Sequence, residues 1–197
     1  MKKLFVFITC IFVTYALAEE SKYRFILSGG AGSQVSWLKN ADTNIRWSNM
    51  GDTLDTYKGG LSGIVALGVE ANTSQKLFTR FLLEASAAKI PNLASKAIYQ
   101  SYGVMLEEGY RFTPRFYTFA GPGIGYALLK HNDSRAQGIA INVNGGFGFA
   151  LTDNVNLELM GRLSFPVSGK KFKTLGADEN QALPGRLDYY ARINVRF

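Results

Sequence analysis

The chain alternates. From Arg186 to Phe197 every second residue is apolar: Leu187, Tyr189, Ala191, Ile193, Val195 and Phe197. Between them stand Arg186, Asp188, Tyr190, Arg192, Asn194 and Arg196. A period of two rather than 3.6 marks a strand with two different faces. The preceding segment repeats it, with Val155, Leu157, Leu159, Gly161, Leu163, Phe165 and Val167 against Asn156, Glu158, Met160, Arg162 and Ser164. One segment earlier, Ile139, Ile141, Val143, Phe147 and Phe149 alternate with Ala140, Asn142, Asn144, Gly146 and Gly148. Near the start, Tyr23, Phe25, Leu27, Gly29 and Ala31 alternate with Arg24, Ile26, Ser28, Gly30 and Gly32. Residues 61–70 and 77–88 behave alike, with Glu70, Arg80 and Glu84 on the polar side. Two segments are less regular. The neighbours Glu107 and Glu108 share a face only through a bulge. Pro122 removes a ladder donor, which predicts a local bulge or bend.

Eight strands follow, at 22–36, 60–71, 77–88, 97–112, 115–129, 138–151, 155–167 and 186–197. Short turns at 72–75, 113–114 and 152–154 alternate with longer polar connections at 37–59, 89–96, 130–137 and 168–185. Short turns on one rim and long loops on the other is how transmembrane barrels are built. The predicted fold is all-β, an eight-stranded antiparallel up-and-down barrel with both ends on the short-turn side.

The first residues read differently. Lys2 and Lys3 precede an apolar stretch from Leu4 to Leu17, and Ala16-Leu17-Ala18 is a small-x-small cleavage site. Residues 1–18 are therefore expected to be a cleaved signal peptide, and 19–197 a single barrel domain. Cys10 is the only cysteine and lies in that leader, so disulfide and thiol chemistry are not expected. Later in the chain no apolar run reaches the ~18–20 residues of a membrane helix. The formal charge is +7, or +5 without Lys2 and Lys3. The cations are spread along the strands rather than blocked together. Anionic lipid headgroups, not nucleic acid, are the expected counterpart.

Alternation alone leaves open which face looks outward. A soluble lipocalin-like binding barrel buries its apolar set, and a membrane barrel turns it to lipid. Three features favour the membrane. The chain ends on Phe197 after apolar residues at every second position. The runs 109–117, 121–126 and 145–159, with Gly121-Pro122-Gly123-Ile124-Gly125-Tyr126 and Gly145-Gly146-Phe147-Gly148-Phe149, resemble the small OmpA-like and opacity-type outer-membrane barrels of Gram-negative bacteria. That resemblance implies an outer-membrane location, Phe197 as the signal read by the barrel assembly machinery, and a membrane-structural, surface-antigen or adhesion role. Aromatics form two expected girdles: Tyr23, Phe25, Phe78, Tyr110, Phe112, Phe116 and Phe197 below, and Trp37, Tyr99, Tyr126, Phe165 and Tyr189 above. Lastly, Gly30, Gly32, Gly146 and Gly148 on the polar face leave room for long inward side chains.

The lumen is then expected to carry Arg24, Glu70, Arg80, Glu84, Glu107, Glu158, Arg162, Asp188, Arg192 and Arg196. Buried charge must pair, and Glu158 should lie near Arg192 or Arg196. Eight strands leave no aqueous pore, so a salt-bridged plug is expected rather than an ion path.

Other chemistry has little to stand on. His131 is the only histidine, within His131-Asn132-Asp133-Ser134, which reads as a turn. A lipid A-modifying enzyme with His131 at its centre is the rival reading, and no catalytic residue is assigned. The glycine clusters match no nucleotide motif. No metal-ligand or cofactor set is seen, and Asp42, Asp52 and Asp55 lack calcium-loop spacing. Trp37, Trp47 and Tyr57 in the longest loop are candidate contacts for a host or cell-surface partner. Lys170, Lys171 and Lys173 suit lipopolysaccharide phosphates. A monomer is expected.

Overall fold

The computed structural model describes residues 23–39, 54–90, 97–131, 134–170, 172–173, 180–181, 183 and 185–197. The expected leader and Trp47 lie outside them. Ten strands are present: β1 (Tyr23–Lys39), β2 (Leu54–Asn72), β3 (Leu77–Ile90), β4 (Ala97–Arg111), β5 (Phe116–His131), β6 (Ser134–Ala150), β7 (Val155–Lys170), β8 (Phe172–Lys173), β9 (Asn180–Gln181) and β10 (Gly185–Arg196). Eight close a barrel in the order β1-β10-β7-β6-β5-β4-β3-β2, every pair antiparallel. β8 and β9 form a separate two-stranded ladder in the last outer connection. The closing seam runs from Ile26 opposite Arg196 to Trp37 opposite Gly185. Beyond it, the Phe197 amide donates to the Phe25 carbonyl at 2.9 Å.

The two faces settle the direction. Leu61 is 77% exposed, Leu159 63% and Phe147 58%, all pointing outward, whereas Glu70, Glu107, Glu158 and Arg192 inside are 0% exposed. A soluble barrel has the reverse pattern. This one turns hydrocarbon outward and charge inward, as a barrel in lipid must.

The short-turn rim is built from one repeated device. In the turns after β2, β4 and β6, the hydroxyls of Ser74, Thr113 and Thr152 each accept two backbone amides, at 3.0–3.3 Å for Ser74, 2.9–3.3 Å for Thr113 and 3.0–3.3 Å for Thr152. The Leu77, Phe116 and Val155 carbonyls each receive two amides across the turn. Short hydroxyl side chains do this because they reach backbone two or three residues on.

Three sequence expectations change, and one conditional reading is resolved. The strands run further on the loop side, so Trp37 and Tyr57 are strand residues, with Trp37 opposite Thr56 and Ser36 opposite Tyr57. His131 and Ser134 are cross-strand partners, which leaves a two-residue connection where a longer loop was expected. Polar composition does not end a strand whose neighbours go on pairing. Glu107 and Glu108 need no bulge. β4 keeps register with β3, Glu107 faces in, and Glu108 faces out, accepting the Thr79 hydroxyl at 2.9 Å. Pro122 is accommodated without a register shift, by omitting the rungs to Leu106 and Glu107. The shifts occur instead at Gln34/Val35 and Ile139/Ala140, toward the loop rim. Finally, Phe78 and Tyr99 belong to no girdle. Both are buried in the lumen, at 0% and 1% exposure, because they share the phase of Arg80 and Glu107.

Candidate functional site: the charged lumen

Register brings the first partners together. Glu70, Arg80 and Glu107 are successive cross-strand neighbours on β2, β3 and β4. On the opposite wall Glu158 of β7 faces Arg192 of β10. The two rows then meet across the lumen. Arg80 Nη1 donates to Glu158 at 2.6 Å, and Arg192 Nη2 donates to Glu107 at 2.9 Å. Within the rows, Arg80 Nε reaches Glu70 at 2.8 Å and Arg192 Nε reaches Glu158 at 2.7 Å. Arg80 Nη1 also lies 3.5 Å from Glu107, which closes a circuit of alternating charge joining opposite walls of the barrel. Charge-assisted bonds of this kind are the strong ones, and they are needed where no water compensates.

Glu70 is shared further. It accepts Arg111 Nη2 at 3.0 Å and Arg196 Nη1 at 3.1 Å. Nearer the outer side, Arg162 Nη2 donates to Glu84 at 2.6 Å and its Nε to Asn144 Oδ1 at 2.8 Å. Asp188 is the register partner of Arg162 but pairs with Arg186. Arg24 stands apart at the short-turn rim. Its register partner is Glu70, yet it donates to the Asp153 carbonyl at 3.2 Å.

Rings line the circuit. Arg80 and Arg111 each lie 4.6 Å from the Phe78 ring centroid, and Arg192 lies 5.2 Å from that of Phe119. Such stacking favours arginine over lysine, since the planar guanidinium keeps its edge donors free. The Tyr117 hydroxyl donates to Glu158 at 2.7 Å. Gly109 and Gly148 exist for these rings: a Cβ on Gly109 would overlap Phe78, and one on Gly148 would overlap Tyr117.

Arg111, Tyr117, Asn144 and Arg186 were not among the lumen residues read from the sequence. Parity with Glu107 on β4 and Asp188 on β10 was the available signal for Arg111 and Arg186, and Asn144 stood in the polar set of its own strand. Toward the loop rim the lumen turns apolar, with Ile90, Tyr99, Leu129, Ala136 and Leu183 in one buried cluster. Outside, Phe197 is 72% exposed on the lipid face. Around the β4–β5 turn and onto β6 runs a row of Tyr110, Phe112, Phe116 and Phe147, edge-on at the first pair and stacked at the next two, with centroids 5.1–6.1 Å apart. The side chains of Trp37, Tyr57, His131, Lys170 and Lys173 lie outside the described residues, as do Asp133 and Lys171.

No protein-family model matches the sequence, and no curated protein matches it. Solved structures do. Neisserial surface protein A is 18% identical, with a TM-score of 0.62 over 88% of this chain and 97% of that one. Ail, the attachment invasion locus protein of Yersinia pestis, is 15% identical, with a TM-score of 0.50 over 89% and 99%. The outer membrane protein AlkL is also 15% identical, with a TM-score of 0.50 over 89% and 90%. With its apolar face outward and its charged face inward, the chain has the fold of the small eight-stranded β-barrels of the bacterial outer membrane.

Proposed function

We propose that this protein is a monomeric outer-membrane barrel whose lumen is plugged by salt bridges and whose work is done at its outer rim, as a membrane-structural element and a platform for surface loops. The observation that carries the plug is the pair of trans-lumen bridges, Arg80 to Glu158 and Arg192 to Glu107. They cross from one wall of the lumen to the other, which supports a plug over an ion path. The apolar cluster above them adds a second barrier.

The platform reading rests on strand length. About 9–11 residues cross a bilayer in a tilted strand. β1, β2 and β6 have 17, 19 and 17 residues. The aromatic run sits close to the short turns, so the surplus projects on the loop side, into the lipopolysaccharide layer and beyond. A surface or host partner would meet the chain there, at the segments that include Trp37, Trp47 and Tyr57. Lipid, lipopolysaccharide and, through Phe197, the assembly machinery complete the expected partners.

Reconstitution in planar bilayers tests the plug. Conductance should stay at the level of the bare membrane. Steady single-channel steps would replace this reading with a pore. For the rival enzymatic reading, His131→Ala should leave lipid A unchanged by mass spectrometry. An altered acylation pattern would make the protein an enzyme.

A further inference from the structure

The charge circuit does not balance, and its imbalance lies at one end. Arg80, Arg111, Arg192 and Arg196 are matched by only Glu70, Glu107 and Glu158. Glu70, the acid nearest the short turns, is divided among three arginines. Just beyond it the lumen opens into a cavity of about 1210 Å³ at the short-turn rim. Among the described residues five cations line that cavity, Arg24, Lys76, Arg111, Arg115 and Arg196, against the acid Asp153. Arg24 and Arg196 each donate to the neutral Asp153 carbonyl, both at 3.2 Å. Arg196 is only 8% exposed, and its Nε is buried with no hydrogen-bond partner. A buried arginine donor left without an acceptor is costly. Several cations converging on one concave opening attract an anion and hold it in a low-dielectric wall.

We propose that the short-turn mouth of the barrel, lined by Arg24, Lys76, Arg111, Arg115 and Arg196, is a binding site for a phosphate group presented from the periplasmic side. Phosphate fits better than a single carboxylate, because it carries more charge and its oxygens match several guanidinium forks at once. The group comes either from an inner-leaflet phospholipid headgroup or from a soluble periplasmic phosphate compound. This site rests on the barrel orientation given above, which makes the short-turn rim periplasmic.

The test uses the full chain folded in phosphatidylcholine nanodiscs and titrated calorimetrically with inorganic pyrophosphate. Saturable binding is expected, weakening as salt is raised. The triple variant Arg24→Gln/Lys76→Gln/Arg115→Gln spares Arg111 and Arg196, the two cavity arginines that hold Glu70, and should bind about tenfold more weakly or worse. Arg115→Glu alone, on an exposed turn, should weaken binding in the same direction if the triple variant folds poorly. Lys89→Gln, toward the opposite rim, should bind as the parent does. Adding phosphatidylglycerol to the discs separates the sources: competition with pyrophosphate identifies a lipid headgroup, and none identifies a soluble anion. Absence of saturable binding, or equal binding by parent and triple variant, overturns the site. A heat-modifiable gel shift in the same preparation shows that the barrel is folded, so loss of the site is distinguishable from loss of the barrel.

Discussion

At the scale of single residues, Glu158 ties the two walls of the lumen together. It holds Arg80, Arg192 and Tyr117 at 2.6–2.7 Å and is fully buried. Glu158→Gln keeps the shape and removes the charge, leaving two buried guanidinium groups short of an anion. We expect a loss of about 3 kcal/mol or more, read as a lower urea midpoint in phospholipid vesicles by far-ultraviolet circular dichroism. Glu108→Gln is the matched control. Among the described residues its outward-facing carboxylate has Thr79 as its partner, and its midpoint should not fall. Gly148→Ala should cost about 1–3 kcal/mol by the same measurement, because the added methyl drives into the Tyr117 ring. Residue identity gave the side each group faces, as parity did for Glu107 and Arg192. It did not give the partner. Arg162 passes over its register neighbour Asp188 to reach Glu84, a choice made by the curvature of the wall rather than by spacing in the chain.

At the scale of elements, the eight barrel strands were legible because lipid and a packed lumen are opposite solvents, and each strand records both. Their outer ends were not. Above the membrane both faces of a strand can be polar, so the alternation that marks β1 between Tyr23 and Gln34 fades before the pairing does at Lys39. The three hydroxyl-capped turns offer a direct check. Thr113→Ala removes the one hydroxyl oxygen that accepts two backbone amides in the turn between β4 and β5, and about 1 kcal/mol should be lost in the same unfolding assay. The closing strand makes a different prediction. Phe197 pairs its backbone with Phe25 and leaves its ring on the lipid face. If that ring serves assembly, Phe197→Ala should reduce the amount recovered in the outer membrane of cells while refolding into vesicles proceeds. Equal loss in both settings would make the ring a packing residue instead.

At the scale of the whole molecule, the barrel has three storeys: an apolar cluster toward the loops, a charge circuit in the middle, and a cation-lined mouth at the short turns. Closure makes the circuit possible, since Arg80 and Glu158 are 78 residues apart and on opposite walls. Extracted in detergent, the protein should migrate differently on gels before and after boiling, and co-migration would mean that no closed barrel had formed. The sequence by itself determined the number of barrel strands, their antiparallel order and the sorting of residues to two faces, because a period of two is a local property, and it left the short β8–β9 ladder unmarked. Phase with Arg80 and Glu107 already put Phe78 and Tyr99 on the lumen side; only the tertiary structure decided that this face turned inward and which acid met which arginine. Those outcomes depend on how far each wall lies from the one it faces, and that distance exists only once the first strand has paired with the last.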